Sequence, residues 1–218
     1  MRNALLEAIL AIPSGHAIFD MDGTLIKGDL GEAVLQRILK QKERPLSSIV
    51  QKALGTEDPW KTYQKICEED FCYGGDLAAQ ALCGWSGKEI ENMVEDAFLQ
   101  GDVQLVPEVV ALAQKLLPHH QVWILTGSAR VIGQSLGNRI GIQHVVGMEL
   151  EQKEGVFTDT LIPPCTCGKG KVEAAQALIS AHPVFSIGDS PSDLPLLRTA
   201  RIARTLGRIF NKEFPGFS

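Results

Sequence analysis

The sequence predicts an α/β protein: a Rossmann-like, doubly wound parallel sheet with a helical insertion after its first strand. Three observations predict it. Short apolar runs at 16–20 ("HAIFD"), 121–126 ("QVWILT") and 184–189 ("VFSIGD") each stop at a polar or glycine-bearing turn, as strands buried on both faces do. Helical patterns lie between the later runs, which is the alternation of a parallel sheet with crossover helices. From about 27 to 102 the helical patterns follow one another with no strand between them.

Taken in order, "MRNALLEAILAI" sets Leu5, Leu6, Ile9 and Leu10 at helical spacing. Glu7 interrupts the run and no small-residue cleavage site follows, so a short amphipathic helix is expected rather than a secretory leader. The inserted block reads as "DLGEAVLQRILK", "TEDPWKTYQKICEEDF", "GGDLAAQALCGW" and "SGKEIENMVEDAFLQ". In the last, Ser86 and Glu89 match a capping box, and Ile90, Met93, Val94, Ala97 and Phe98 share one face. "VPEVVALAQKLL" (106–117) opens with Pro107 in the first turn of a helix. "HVVGMELEQKEGVFTDTL" (144–161) alternates about Lys153–Gly155 and predicts a β-hairpin flap. "GKVEAAQALIS" (170–180) and "DLPLLRTA" (193–200) complete the helices.

Composition narrows the class. A chain of 218 residues, 44% hydrophobic and 22% charged, holds one large domain or one domain with an insertion. A net charge of −5 without a basic run argues against nucleic acid as a partner. No apolar stretch is long enough to cross a bilayer, so no membrane partner is expected. Five scattered cysteines with no CxxC pair and no finger-like histidines argue against zinc. They read as reduced thiols of a cytoplasmic protein.

The chemistry is concentrated where the predicted strands end, which is where open parallel sheets place their ligands. Asp20 and Asp22 are two apart, so on a strand they would point the same way. Gly23 permits a tight turn and close backbone approach to an anion. Thr126, Gly127 and Ser128 offer hydroxyls and N–H groups ahead of a helix, a phosphate-binding arrangement that is equally a helix cap. Asp189, with Asp193 four residues on, adds oxygen ligands suited to a hard cation such as Mg²⁺, although Asp193 also fits an N-cap. Lys169 and Lys171 stand at a helix start, where a lysine can reach an anion and offset carboxylate repulsion.

In this order, "AIFDMDGT", "VWILT", "GKGK" and "SIGDSPSD" resemble the motifs of the haloacid dehalogenase superfamily of phosphohydrolases, specifically its phosphoserine-phosphatase-like subgroup. The resemblance spans residues 17 to 193. It implies a catalytic core of 1–26 and 103–218 with a helical cap at 27–102. It further implies a Mg²⁺-dependent phosphomonoesterase acting on a small phosphorylated metabolite. Asp20 would be the nucleophile that forms an aspartyl-phosphate, and Asp22 the general acid and base. Mg²⁺ would be held by Asp20, the Asp22 carbonyl and Asp189, with Asp193 orienting the shell. Thr126, the Gly127 N–H and one lysine would hold the phosphate. Lys171 is favoured, with Ala174, Ala175 and Leu178 on the adjacent helix face, but Lys169 fits as well.

Asp29 is either the N-cap of the next helix or, as the resemblance suggests, a contact for a substrate amine. Arg37 and Arg44 are the block's arginines for a substrate carboxylate, and neither lies in a recognisable motif. The subgroup's DSTxI and SGG read "DGTLI" and "TGS" here, which leaves the substrate open. A phosphotransferase or mutase would carry the same motifs, and an inactive binding module of the same fold is the non-enzymatic alternative. Oligomeric state is not encoded in any of these patterns.

Overall fold

The computed structural model describes residues 2–41, 43–179, 182–207 and 213–217. Its sheet has six strands: β1 (His16–Phe19), β4 (Gln121–Ala129), β5 (His144–Lys153), β6 (Val156–Ile162), β7 (Phe185–Gly188) and β8 (Ile202–Thr205). Their order is β6–β5–β4–β1–β7–β8, parallel except for β6. The three strands expected from sequence are the three central neighbours. Phe19 stands opposite Ile124 on one side and Ile187 on the other.

Alternation along β1 explains why its run is apolar at every position. Ala17 and Phe19 join an apolar cluster with Leu5 and Ile9 of α1 (Arg2–Leu10), the helix α7 (Pro107–Leu116), and Ile132 and Leu136 of α8 (Arg130–Ile140). Ile18 points to the other face, against Ala174 and Ala175 of α9 (Lys169–Leu178) and Leu196 of α10 (Leu194–Leu197). With helices on both faces, Ala17, Ile18 and Phe19 are all buried, and only His16 at the start of β1 is partly exposed.

Between β2 (Ile26–Lys27) and β3 (Gln104–Leu105) the described residues form five helices: α2 (Leu30–Lys40), α3 (Ser48–Leu54), α4 (Pro59–Glu69), α5 (Phe71–Gln80) and α6 (Gly87–Leu99). Side-chain acceptors open each of them, from Asp29, Ser47, Asp58, Asp70 and Ser86. The Ser86–Glu89 capping box is present in both directions. Ile90, Met93, Val94 and Ala97 are buried, as their spacing predicts. The strands β2 and β3 pair antiparallel, so the block leaves and rejoins the sheet domain at adjacent points.

The expected hairpin forms: β5 pairs antiparallel with β6 about the Glu154–Gly155 turn, and the first half of β5 also lies parallel to β4. Val146, Met148 and Leu150 enter the core and carry the hairpin into the sheet as its edge. One expectation needs correction, since not all the cysteines are reduced. Cys72 and Cys167 form a disulfide across 95 residues, while Cys67, Cys83 and Cys165 are free thiols. Spacing could not announce a bond between a helix of the inserted block and a loop of the core.

No helix among the described residues is long and apolar enough to cross a membrane. Phe185 is fully buried and its ring lies 5.5 Å from that of Phe19. Phe185→Ala is expected to lower unfolding free energy by about 3–5 kcal/mol, read as a shifted urea midpoint with an unchanged slope.

Candidate active site

The site lies where β1, β4 and β7 end together. The backbone N–H of Asp20 donates to Ile187 O at 3.0 Å, and beyond it the chain turns, with the N–H groups of Thr24, Leu25 and Ile26 all converging on Met21 O. The strand itself stops at Phe19, so Asp22 lies in the turn and not on the alternating ladder. That corrects the expectation that both carboxylates project as one pair, for each has its own partners.

Asp20 is 5% exposed and accepts the Lys171 ammonium on Oδ1 at 2.6 Å. The same Nζ reaches Asp193 Oδ1 at 2.5 Å. Lys169, two residues earlier, is exposed. The first turn of α9 therefore sends one of the two candidate lysines inward and the other into solvent. Asp193 uses its second oxygen to gather the N–H groups of Asp189 (3.2 Å) and Ser190 (3.0 Å) and the Ser190 hydroxyl (3.0 Å). It makes no side-chain cap to α10, so the N-cap reading is replaced by a role in closing the preceding 3₁₀ turn (Pro191–Asp193).

Asp22 is held differently. Its Oδ1 accepts from Leu30 N at 2.8 Å, and its Oδ2 from Ser128 Oγ at 3.0 Å, with Thr126 Oγ1 at 3.5 Å. The approach depends on Gly31, where a Cβ would sit 2.7 Å from Ser128 Oγ. Thr126 is fully buried, and its hydroxyl accepts from Ser128 N at 3.0 Å. Gly23 has a φ of +75°, and a Cβ there would lie 2.0 Å from Asp189 Oδ2. Only glycine lets the turn bring Asp189 this close.

Burial and mutual repulsion load these groups electrostatically. Asp20 is pushed up to about 7, first by burial, then by Asp193, with Lys171 pulling the other way. Asp22 is raised well above the usual carboxylate range by burial and by Asp29, opposed by the Leu30 N–H. Carboxylate oxygens of Asp20, Asp189 and Asp193 all lie within 4.8 Å of one another, while the Asp22 side chain stands outside this group. Three carboxylates facing one ammonium form an oxygen-only set with excess negative charge. That donor set fits a hard divalent cation.

A second acidic pair borders the site. Asp29 caps α2, accepting from Glu32 N at 2.8 Å, and is itself raised by burial. Glu32 is pushed up to about 7 by burial and by Asp29. The buried Tyr63 phenol is pushed up by burial, by its hydrogen bond with Cys67, and by the charges of Asp29 and Glu32. The block's two arginines are engaged elsewhere. Arg37 holds Asp102 at 2.6 Å, and Arg44 holds Glu89 at 3.0 Å while stacking over Trp85.

The sequence placed Ser128 beside Thr126 and Gly127, and the structure adds that its hydroxyl donates to Asp22. Sequence reasoning missed Glu32 and Thr166 as site neighbours. Glu32 could have been found from its helical spacing to Asp29. Thr166 carries no such signal. It is 1% exposed with an unpartnered hydroxyl, and its carbonyl lies 3.8 Å from where a Cβ on Gly127 would stand.

Carboxylates at the ends of adjacent parallel strands, a buried lysine between them and a hydroxyl–glycine loop alongside define a hydrolase of the Rossmann-like class. The profile of the haloacid dehalogenase-like hydrolases matches residues 17–198, and the chain belongs to that family. It is 25% identical over 214 residues to a phosphoserine phosphatase of Mycobacterium tuberculosis, covering 83% of this chain and 61% of that protein. The chain thus spans about three-fifths of that mycobacterial relative's length. It is 25% identical over 197 residues to the histidinol-phosphatase of Neisseria meningitidis, covering 84% of this chain and 85% of that one. A crystal structure of a functionally unknown protein from Anaerococcus prevotii shares the fold, with a TM-score of 0.73, 13% identity, and 95% and 86% of the two chains covered.

Two expected outcomes follow from these charges. Lys171→Met removes the ammonium that Asp20 and Asp193 share and should cost about 3–5 kcal/mol in urea unfolding at pH 8. The loss should shrink at pH 5, where the stranded Asp20 carboxyl holds its proton. Glu32 holds its proton more tightly folded than unfolded, so folding stability falls as pH rises from about 4.5 to about 7. Glu32→Gln should flatten the thermal-unfolding profile across that window.

Proposed function

We propose that this protein is a Mg²⁺-dependent phosphatase that cleaves small phosphomonoesters through an aspartyl-phosphate on Asp20, with the helical block as its cap. The observation that carries this reading is the Lys171 bridge, which fixes Asp20 against Asp193 at the end of the central strand. Asp20, Asp189, Asp193 and the Asp22 carbonyl would hold the cation. When bound, it would neutralise the carboxylates and polarise the phosphoryl group.

The chain's own residues do the rest. Lys171 orients the Asp20 carboxylate for attack on phosphorus and offsets charge on the incoming anion. Thr126 Oγ1, Gly127 N–H and the unpartnered Thr166 hydroxyl are donors for the phosphoryl oxygens. Asp22 gives its proton to the departing alkoxide and then takes one from water as the aspartyl-phosphate hydrolyses. Its raised pKa suits the first of these tasks, and the Leu30 N–H and Ser128 hydroxyl suit the second by stabilising the ionised form.

The leaving group is inferred from what surrounds Asp22. Asp29 adds negative charge beside Asp22, and both arginines of the block are occupied in ion pairs. This favours the phosphate ester of a cationic amino alcohol without a carboxylate. The histidinol-phosphatase relative fits that chemistry better than the phosphoserine phosphatase does. The cytoplasm remains the proposed setting, with the disulfide then a redox-responsive bond rather than a permanent one.

Phosphate release should be measured across a panel of phosphocholine, phosphoethanolamine, histidinol phosphate, phosphoserine, sugar phosphates and an aryl phosphate. Asp20→Asn should lower turnover by about 10³-fold or more, and a chelator should do the same until Mg²⁺ is restored. Asp29→Asn should raise KM about tenfold for the cationic esters and leave the aryl phosphate unchanged. A fully active Asp20→Asn variant would end the nucleophile assignment, and phosphoserine as the best substrate would end the amino-alcohol assignment.

A further inference from the structure

The Cys72–Cys167 bond links the two halves of the enclosure. Cys72 lies in the first turn of α5, and one turn later Gly75 abuts the Thr126–Gly127 loop, where a Cβ on it would stand 3.6 Å from Gly127 O. Cys167 lies immediately before α9, and its carbonyl accepts from Gly170 N at 2.9 Å. Its neighbour Thr166 also borders Gly127, its carbonyl lying 3.8 Å from where a Cβ on Gly127 would stand. The disulfide therefore lies beside the Thr126–Gly127 segment, joining the helical block to the loop that leads into the helix carrying Lys171.

This placement matters because the innermost groups of the site are buried. Asp20, Thr126 and Lys171 are exposed by only 5%, 0% and 3%, while Asp22, Gly127 and Asp189 are half-buried. The helix α5 packs against β4 beside them, so its position bears on access to Asp20. The helical block is otherwise joined covalently to the core at two points, which lie side by side in the β2–β3 ribbon and form a hinge. Its other ties are non-covalent, among them the Arg139–Glu95 ion pair between α8 and α6, the hydrogen bonds between Gly84–Trp85 and Phe157, and apolar packing of Leu77, Ile90 and Val94 in the core cluster. Such contacts break and reform on the microsecond-to-millisecond scale of domain motion, whereas a disulfide does not.

We propose that Cys72–Cys167 is a redox modification site, a strap that holds the block shut over the active site and is released by a dithiol reductant. In the exchange, one thiolate of the dithiol attacks a strap sulfur, the protein S–S bond breaks, and the other cysteine leaves as a thiolate. The second thiol of the dithiol then displaces the first cysteine. The dithiol departs as a disulfide, and two electrons and two protons end on Cys72 and Cys167. Cys165 is a free, exposed thiol that donates to the Asp76 carboxylate at 3.5 Å, and partial desolvation and that neighbouring charge push its pKa up.

The proposal rests on the phosphatase reading only for its activity readout. The full chain, oxidised or reduced with dithiothreitol, is compared in two ways. Hydrogen exchange is followed at residues 27–29, 71–80 and 165–168, and aryl phosphate turnover is measured with Mg²⁺. Reduction should speed exchange in α5 and the 165–168 loop and raise kcat by roughly threefold or more, reversibly on reoxidation. Cys72→Ser should behave as the reduced form whether or not dithiothreitol is present, and Cys165→Ser should keep the wild-type response. Faster exchange in a protein with no phosphatase activity in either state would keep the strap and remove the catalytic reading. Equal exchange and equal turnover in the two redox states, or a Cys72→Ser variant still responsive to dithiothreitol, would overturn the strap.

Discussion

Everything at the site depends on one ammonium group. Lys171 is buried with Asp20 on one side and Asp193 on the other. Burying three ionisable groups together is tolerable only because each supplies what the others need. Asp193 completes the arrangement by using its remaining oxygen to fold the Asp189–Ser190 turn. The same lysine thus aligns the carboxylate at the end of β1 and, through Asp193, the loop after β7. Burial and Asp193 still push Lys171's partner Asp20 up to about 7, so the cluster remains short of positive charge. The lysine itself is held firmly charged by the two carboxylates despite the opposing effect of burial.

The second carboxylate depends on a different part of the molecule. Asp22 is fixed by Leu30, the first residue of α2, and by Ser128 just before α8. One residue near the sheet therefore senses the start of the helical block and the end of β4 together. Asp29 caps the same helix and adds its charge to that of Asp22, so the element that organises Asp22 also sets the electrostatic character of the space beside it. Helix capping, ordinarily a local matter of satisfying N–H groups, is here coupled to the ionisation of a site residue.

Much of this was legible in the sequence. The central strands, the capping box at Ser86 and the buried face of α6 follow from periodicity, because burial on both faces of a strand or one face of a helix leaves a repeating pattern. The choice between Lys169 and Lys171 was only partly legible: the small residues on the helix face after it favoured Lys171, the one that turns inward, but left Lys169 open. Both stand at the start of α9, and only the path of the loop before the helix decides which one points inward. Strand β8 is four residues with an arginine inside, too short to give a pattern. The Cys72–Cys167 pair and the orphaned Thr166 hydroxyl depend on which distant segments meet, and no local rule of spacing encodes that.

The pairing of β2 with β3 has an evolutionary consequence. Ile26 stands opposite Leu105, so the points where 27–103 departs and returns are neighbours in one ladder. A segment whose ends already meet can be exchanged for another of different length without stretching the sheet beneath it. Chemistry and recognition can then diversify at separate rates: the strand-end carboxylates stay fixed while the interpolated helices are replaced by recombination. Apart from the two backbone junctions, the disulfide is the one covalent bond among the described residues that ties this segment to the rest of the chain.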